Sequence, residues 1–263
     1  MIYTDQLGRD IRITSTPMRI ISLVPSQTEL LVAMGLSNCI VGVTKFCVHP
    51  KTIRKEKSVI GGTKNIHLDK IRELDPDIIL CNKEENTKEI VETLQEEYTV
   101  HVSDISTVEE SLELIDQYGK IFNKTSQAAT LVSKIRLELR DFLEFVKDKP
   151  KKKIAYFIWR KPWMVAGKGT FIHHLLGING FINMFGHQDR YPEISEEQLP
   201  KLKGLDLILL SSEPFPFSET HKNEVIKMLP DAKVILVDGE YFSWYGSRLA
   251  EAFVYFRTLH QSS

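Results

Sequence analysis

The chain predicts an α/β fold of two similar halves, and three observations carry that expectation. Short apolar runs alternate with helix-forming stretches at close spacing, the pattern of parallel sheets covered on both faces. The same strand–helix order resumes after Pro150. Between the halves, residues 123–147 keep a helical period, with Ala128, Leu131, Ile135, Leu139, Phe142 and Val146 on one face. Lys134, Glu138, Arg140, Asp141 and Glu144 fall off that stripe. Thr125 and Ser126 offer N-caps, and Lys149-Pro150 ends the helix because proline cannot continue one. At about 1.5 Å per residue the helix is ~36 Å long. Periodicity alone leaves open a crossover packed on one sheet or a strut joining two lobes.

Residues 2–14 alternate around Asp5-Gln6-Leu7-Gly8, a hairpin whose glycine supplies positive φ. Residues 19–24 form a compact apolar strand, followed by Pro25-Ser26-Gln27-Thr28-Glu29. Ser26 and Glu29 have capping-box spacing, which predicts a helix start directly after the strand. A strand at 39–43 leads into the loop Lys45-Phe46-Cys47-Val48-His49. A strand at 77–81 leads into Asn82-Lys83-Glu84 and a helix at 87–96. A strand at 99–102 and a helix at 107–119 complete the first half. In open parallel sheets, ligands sit outside the carboxyl ends of the strands. Pro25, Ser26, Lys45, Phe46, Cys47, His49, Asn82 and Lys83 lie at those ends, with Lys64 in the nearby glycine-rich loop.

In the second half, a strand at 153–159 ends in Trp159-Arg160-Lys161-Pro162-Trp163, and a helix covers 170–176. A loop then holds His187, Arg190, Tyr191 and Pro192. Strands at 205–210 and 233–237 end in the stretches carrying Phe215 and Phe217, then Tyr241, Trp244, Tyr245 and Arg248. A helix over 247–260 closes the chain. Large rings gathered at connections mark a ligand cleft or an interface more often than a core.

Composition narrows the function. Hydrophobic residues are 42% and charged residues 26% of 263, with a formal net charge of -1, so a nucleic-acid partner is not expected. No apolar run approaches the ~18 residues of a membrane span. The first residues lack a basic segment followed by an apolar one, so the chain as given shows no signal peptide; a removed leader and a cytosolic location both stay open. Three cysteines without a CxxC pair argue against a disulfide framework. Phosphate-loop, dinucleotide, HExxH and GxSxG patterns are absent, and Glu84-Glu85 beside Lys83 reads as a helix-start charge cluster. A non-enzymatic binding protein is the expectation.

Several segments together resemble a known family. Asp5-Gln-Leu-Gly-Arg9, Arg19-Ile-Ile-Ser-Leu-Val-Pro-Ser-Gln-Thr-Glu29 and Leu74-Asp-Pro-Asp-Ile-Ile-Leu80 are similar to the substrate-binding proteins of ABC importers for vitamin B12, haem and ferric siderophores. The likeness runs on through Pro192, residues 211–217 and residues 241–248, and is nearest the cobalamin-binding branch. It implies a class III periplasmic-binding-protein-like fold: two Rossmann-like lobes, residues 1–122 and 149–263, joined by one long interlobe helix at 123–148. It also implies a shallow interlobe cleft for a metal chelate (cobalamin, haem or ferric siderophore), no intrinsic cofactor, an ABC permease partner, a monomer, and a periplasmic or lipid-anchored location. The cobalamin branch carries tryptophan where Asn82 stands, and an acidic docking residue where Lys88 stands beside Glu85 and Glu89. A cytosolic corrinoid-binding or salvage protein on the same fold, with or without enzymatic activity, is the alternative.

On that resemblance, Trp159, Trp163, Phe46, Tyr241 and Trp244 are expected to stack on a corrin or haem face. Lys45, Lys64, Arg160 and Arg248 are expected to meet its anionic substituents. His49 is the candidate axial metal ligand, with Cys47 as a softer competitor.

Overall fold

In the computed structural model, which describes residues 1–262, the chain divides into two α/β units. The first comprises Met1–Ile105, Glu109–Ile135 and Tyr245–Arg248; the second holds Ser106–Val108, Arg136–Trp244 and the chain from Leu249 on.

The first unit opens with the expected hairpin, β1 (Ile2–Thr4) and β2 (Asp10–Arg12), turned at Gly8 with φ +76°. There follow β3 (Ile20–Ser22), α1 (Pro25–Ala33), β4 (Ile40–Val43), α2 (Ile53–Glu56) and β5 (Ser58–Val59). Then come α3 (Leu68–Leu74), β6 (Ile78–Asn82), α4 (Lys88–Gln95), β7 (Val100–Ser103) and α5 (Val108–Ile121). The sheet order is β5-β4-β3-β6-β7, parallel throughout. Ile20, Ile21 and the whole of β6 are buried, as strands covered on both faces must be. Elements α2, β5 and α3 had no sequence expectation; four, two and seven residues are too few to show a clear period.

The hairpin is pinned to the edge strand β7 by one carboxylate. Asp5 is buried and accepts from Leu7 N, Arg9 N, Val102 N and the Arg9 guanidinium at 2.6–3.1 Å. Those bonds offset the desolvation of the charge, and the hairpin covers an edge that would otherwise offer unpaired backbone groups.

Helix α6 (Thr125–Val146) is the long helix expected at 123–147. Ala128, Ile135, Phe142 and Val146 are buried, while Leu131 and Leu139 are half-buried, so the apolar stripe faces inward along its length. The helix counts with the first unit through Ile135 and with the second from Arg136.

The second unit continues with β8 (Lys153–Trp159), β9 (Trp163–Val165), α7 (Phe171–Ile178), β10 (Ile182–Asn183) and β11 (Glu193–Ile194). It ends with β12 (Leu207–Ser211), α8 (Glu219–Met228), β13 (Lys233–Val237), α9 (Glu240–Ser243) and α10 (Leu249–Ser262). Strands β8, β12, β13 and β10 pair in parallel, but β9 and β11 join antiparallel. The repeated parallel plan expected for this half therefore needs correction. Only residues 160–162 separate β8 from β9, enough for a hairpin and far too few for a parallel crossover. The core packs Ala155, Phe157, Ile208, Leu210 and Val234 with Trp163 and Phe217.

Candidate ligand-binding faces

The carboxyl edge of the first sheet is made by the turns after β3, β4, β6 and β7. After β3, Pro25 takes the first helical position of α1, and the N-cap Val24 makes no side-chain cap. The expected Ser26–Glu29 capping box is not formed. Proline at that position has no N–H to satisfy, Ser26 is buried one residue inside the helix, and the Glu29 carboxylate is taken by Arg248 at 2.7 and 3.0 Å.

The turn after β4 exposes Lys45 and Phe46, the ring 49% exposed with Lys45 Nζ 5.0 Å from its centre. Gly61 faces this turn with φ +120°; a Cβ there would lie 2.4 Å from Asn65 O, so only glycine closes the loop that brings Gly62 against Phe46. Lys64 is exposed and its ammonium donates to Glu84 O at 2.6 Å. His49 is half-buried. Cys47 is the residue the structure removes from an open site. It is fully buried with Thr28 Oγ1 at 3.1 Å and Thr44 Oγ1 at 3.3 Å, and burial pushes its thiol up, away from the thiolate a metal requires.

Asn82 is likewise a keystone rather than a surface contact. Its Oδ1 accepts from Glu84 N and Glu85 N at 2.9 and 3.2 Å, and its Nδ2 donates to Ser103 O and Oγ at 3.1 and 3.0 Å. Asn86 closes the same turn through Asn82 N and Thr63 O. The turn presents Lys83, paired with Asp104, and Glu85. Burial, then the neighbouring Glu84, holds the Glu85 carboxyl above the usual range, with Lys64 partly opposing.

Beneath these turns lies a buried polar network that the sequence did not suggest. Gln27 Nε2 shares its two hydrogens among Ser103 Oγ at 2.7 Å, Tyr245 Oη at 2.9 Å and Cys81 O at 3.2 Å, while Tyr118 Oη donates to Gln27 Oε1 at 2.7 Å. Burial raises the Tyr245 phenol well above its ordinary pKa, so it stays neutral. Next to it, Gly246 N donates to Ser111 Oγ at 2.9 Å. Tyr245 and Arg248, expected in contact with a ligand, are thus buried inside the first unit.

On the second unit, Trp159 ends β8 with 38% of its surface exposed, and Phe215 meets it edge-on at 5.7 Å. Arg160 is half-buried; its guanidinium lies 5.4 Å from the Trp163 ring and donates to Glu224 from Nε and Nη2. Tyr191 is half-buried with Arg190 5.8 Å from its ring, and Tyr241 stacks on Tyr255 at 4.5 Å. Of the rings expected to line a ligand cleft at these connections, Trp163, Phe217, Trp244 and Tyr245 are buried rather than open. Trp163 belongs to β9 and stacks on Phe217 in the core, and Trp244 is buried with its indole N–H on Glu213 at 2.9 Å. Ser243 Oγ donates to the same Glu213 oxygen. An indole has one donor, and packing plus one acceptor satisfies it without a ligand.

Among the rings expected to meet a ligand, Phe46 is exposed on the first unit; on the second, Trp159 is exposed and Tyr191, Phe215 and Tyr241 are half-buried. His221 meets Phe215 edge-on and was missed, because Ser-x-x-His does not match the usual acidic capping signature. Among the described residues, no three His, Cys, Asp or Glu side chains converge as a metal site. No helix among them is long and apolar enough to cross a membrane.

Comparison with known proteins gives a consistent picture. The profile described as periplasmic binding protein matches residues 20–231. An uncharacterized ABC transporter substrate-binding lipoprotein, YvrC, of Bacillus subtilis is 27% identical over 206 residues, 75% of this chain and 65% of the relative. The vitamin B12-binding protein of Vibrio cholerae is 26% identical over 187 residues, 69% of this chain and 66% of the relative. The chain thus spans about two thirds of these curated relatives. The periplasmic haem-binding protein RhuT of Roseiflexus superposes with a TM-score of 0.79 at 17% identity, covering 93% of this chain and 98% of the other. This likeness establishes the shared fold.

Proposed function

This chain belongs to the periplasmic binding protein family, and from that premise we propose that it binds a large metal chelate outside the cytoplasm and delivers it to an ABC-importer permease. The cargo class is a corrinoid such as cobalamin, a haem or a ferric siderophore. It is transported, not a resident cofactor, and the role is binding rather than catalysis.

The observation that carries this reading is Trp159 with Phe215, a partly exposed aromatic pair at the carboxyl end of β8 and just beyond that of β12. Exposed rings cost solvation unless something covers them, and a flat macrocycle covers rings well, adding ~0.5–1.5 kcal/mol per aromatic contact beyond burial. On the first unit, Phe46 with Lys45 above it offers a second ring beside a cation. Lys45, Lys64 and Lys83 supply positive charge for peripheral carboxylates or phosphates.

The test is direct. Cyanocobalamin, haemin and ferrichrome are added in turn to the purified protein and followed by calorimetry and visible spectra. One of them should bind, and Trp159→Ala and Phe46→Ala should each weaken it about tenfold, the scale of one well-packed aromatic contact. Unchanged affinity in both variants would remove the proposed faces.

A further inference from the structure

Helix α8 begins with Ser218-Glu-Thr-His221, and an imidazole rather than a carboxylate reaches back to close its first turn. The Ser218 backbone N–H donates to His221 Nδ1 at 3.1 Å, and the Ser218 hydroxyl lies 2.9 Å from the same nitrogen. A backbone amide can only donate, so Nδ1 presents a lone pair; in the neutral ring the proton then sits on Nε2. The ring cannot swing away easily. Phe215 meets it at 5.1 Å and Phe217 at 5.7 Å, both edge to face. Phe215 is also the partner of the exposed Trp159. Among the described residues, the hydrogen bonds of the His221 ring end at Nδ1.

We propose that His221 is a recognition residue of the second unit's face, donating from Nε2–H to an acceptor oxygen on the rim of the bound chelate. The acceptor is a carboxylate, an amide carbonyl or a phosphate oxygen. His221 does not coordinate the metal. Coordination by Nε2 needs a lone pair there, which puts the proton on Nδ1, where it would point at the Ser218 N–H. The backbone thus fixes which kind of contact the ring makes, and selects ligands by their periphery. The inference rests on the metal-chelate reading above.

Two substitutions separate recognition from structure. Gln and Glu at the third helical position both return an oxygen to the N-cap amide, as in a capping box. Only Gln also keeps an N–H donor. Wild type, His221→Gln and His221→Glu are titrated with cyanocobalamin, haemin and ferrichrome at neutral pH, and their melting temperatures are compared. For the probe that wild type binds, the Gln variant should stay within about threefold and the Glu variant should lose about tenfold or more, the scale of one hydrogen bond. Melting temperatures should match in both. Wild-type affinity in the Glu variant overturns the proposal, as does an equal loss in both variants. Long-range proton–nitrogen spectra of the ring should show hydrogen on Nε2 only; hydrogen on Nδ1 overturns it independently of ligand. A wild type that binds none of the probes removes the chelate reading and this inference together.

Discussion

His260 is a neutral histidine among rings, stacked on Phe181 at 5.0 Å and near Phe142 and Phe145. Burial, then the charges of Lys149 and Lys152, lower its pKa to about 4. In the unfolded chain it takes its proton near 6.5. Between those values the unfolded state binds more protons, so stability is full above about 6.5 and declines as pH falls toward 4. Calorimetric melting at pH 7 and pH 4.5 should show this fall, and His260→Phe should reduce it. Parallel declines for the two proteins would remove His260 as a source. At this same scale, candidate residues separate by what surrounds them. Phe46 and Trp159 remain open, whereas Trp163 and Trp244 are spent on packing and on Glu213. Nothing local in the sequence distinguishes one tryptophan from another; burial is a property of the folded neighbourhood.

At the scale of elements, the end of α5 and the start of α6, both in the first unit, show how closely two helices approach. A Cβ built on Gly119 would lie 2.6 Å from the Ala128 Cβ and 3.4 Å from Thr125 Cα, so the glycine is there for space. Alanine normally favours a helix over glycine by about 1 kcal/mol. Here Gly119→Ala should instead destabilise by ~1–3 kcal/mol through overpacking, read by urea unfolding. Adding Ala128→Gly should recover part of that loss; a stabilised single variant would show that the helices part freely. The long helix was legible because its stripe persists through twenty-two residues. The β8–β9 hairpin was not, since three intervening residues give no pattern and Trp163 resembles any aromatic residue beside a turn. The start of α1 was misassigned for a related reason. Ser26 and Glu29 have capping-box spacing, but Pro25 already occupies the first helical position.

At the scale of the whole molecule, the first unit depends on residues from near the end of the chain. Arg248 grips Glu29 across 219 positions, with the two side chains only 7% and 23% exposed. Removing one member of a largely buried pair takes its countercharge from the other, which is costly at this burial. Arg248→Met should therefore cost ~3–5 kcal/mol in urea unfolding, and the double variant Arg248→Met, Glu29→Leu should recover most of it. Equal losses in the single and double variants would show that packing of the arginine stem, rather than its charge, is what matters. The sequence by itself determined the α/β alternation, the long central helix, the hairpin at Gly8 and the family likeness, because each is written in local periods and short ordered segments. Only the tertiary structure decided that Tyr245 and Arg248 lie inside the first unit, that Asn82 locks a turn, and that an imidazole caps α8 beside Trp159's partner ring. Those assignments depend on which distant groups fill each other's hydrogen-bonding and packing needs, and such pairings leave no periodic trace along the chain.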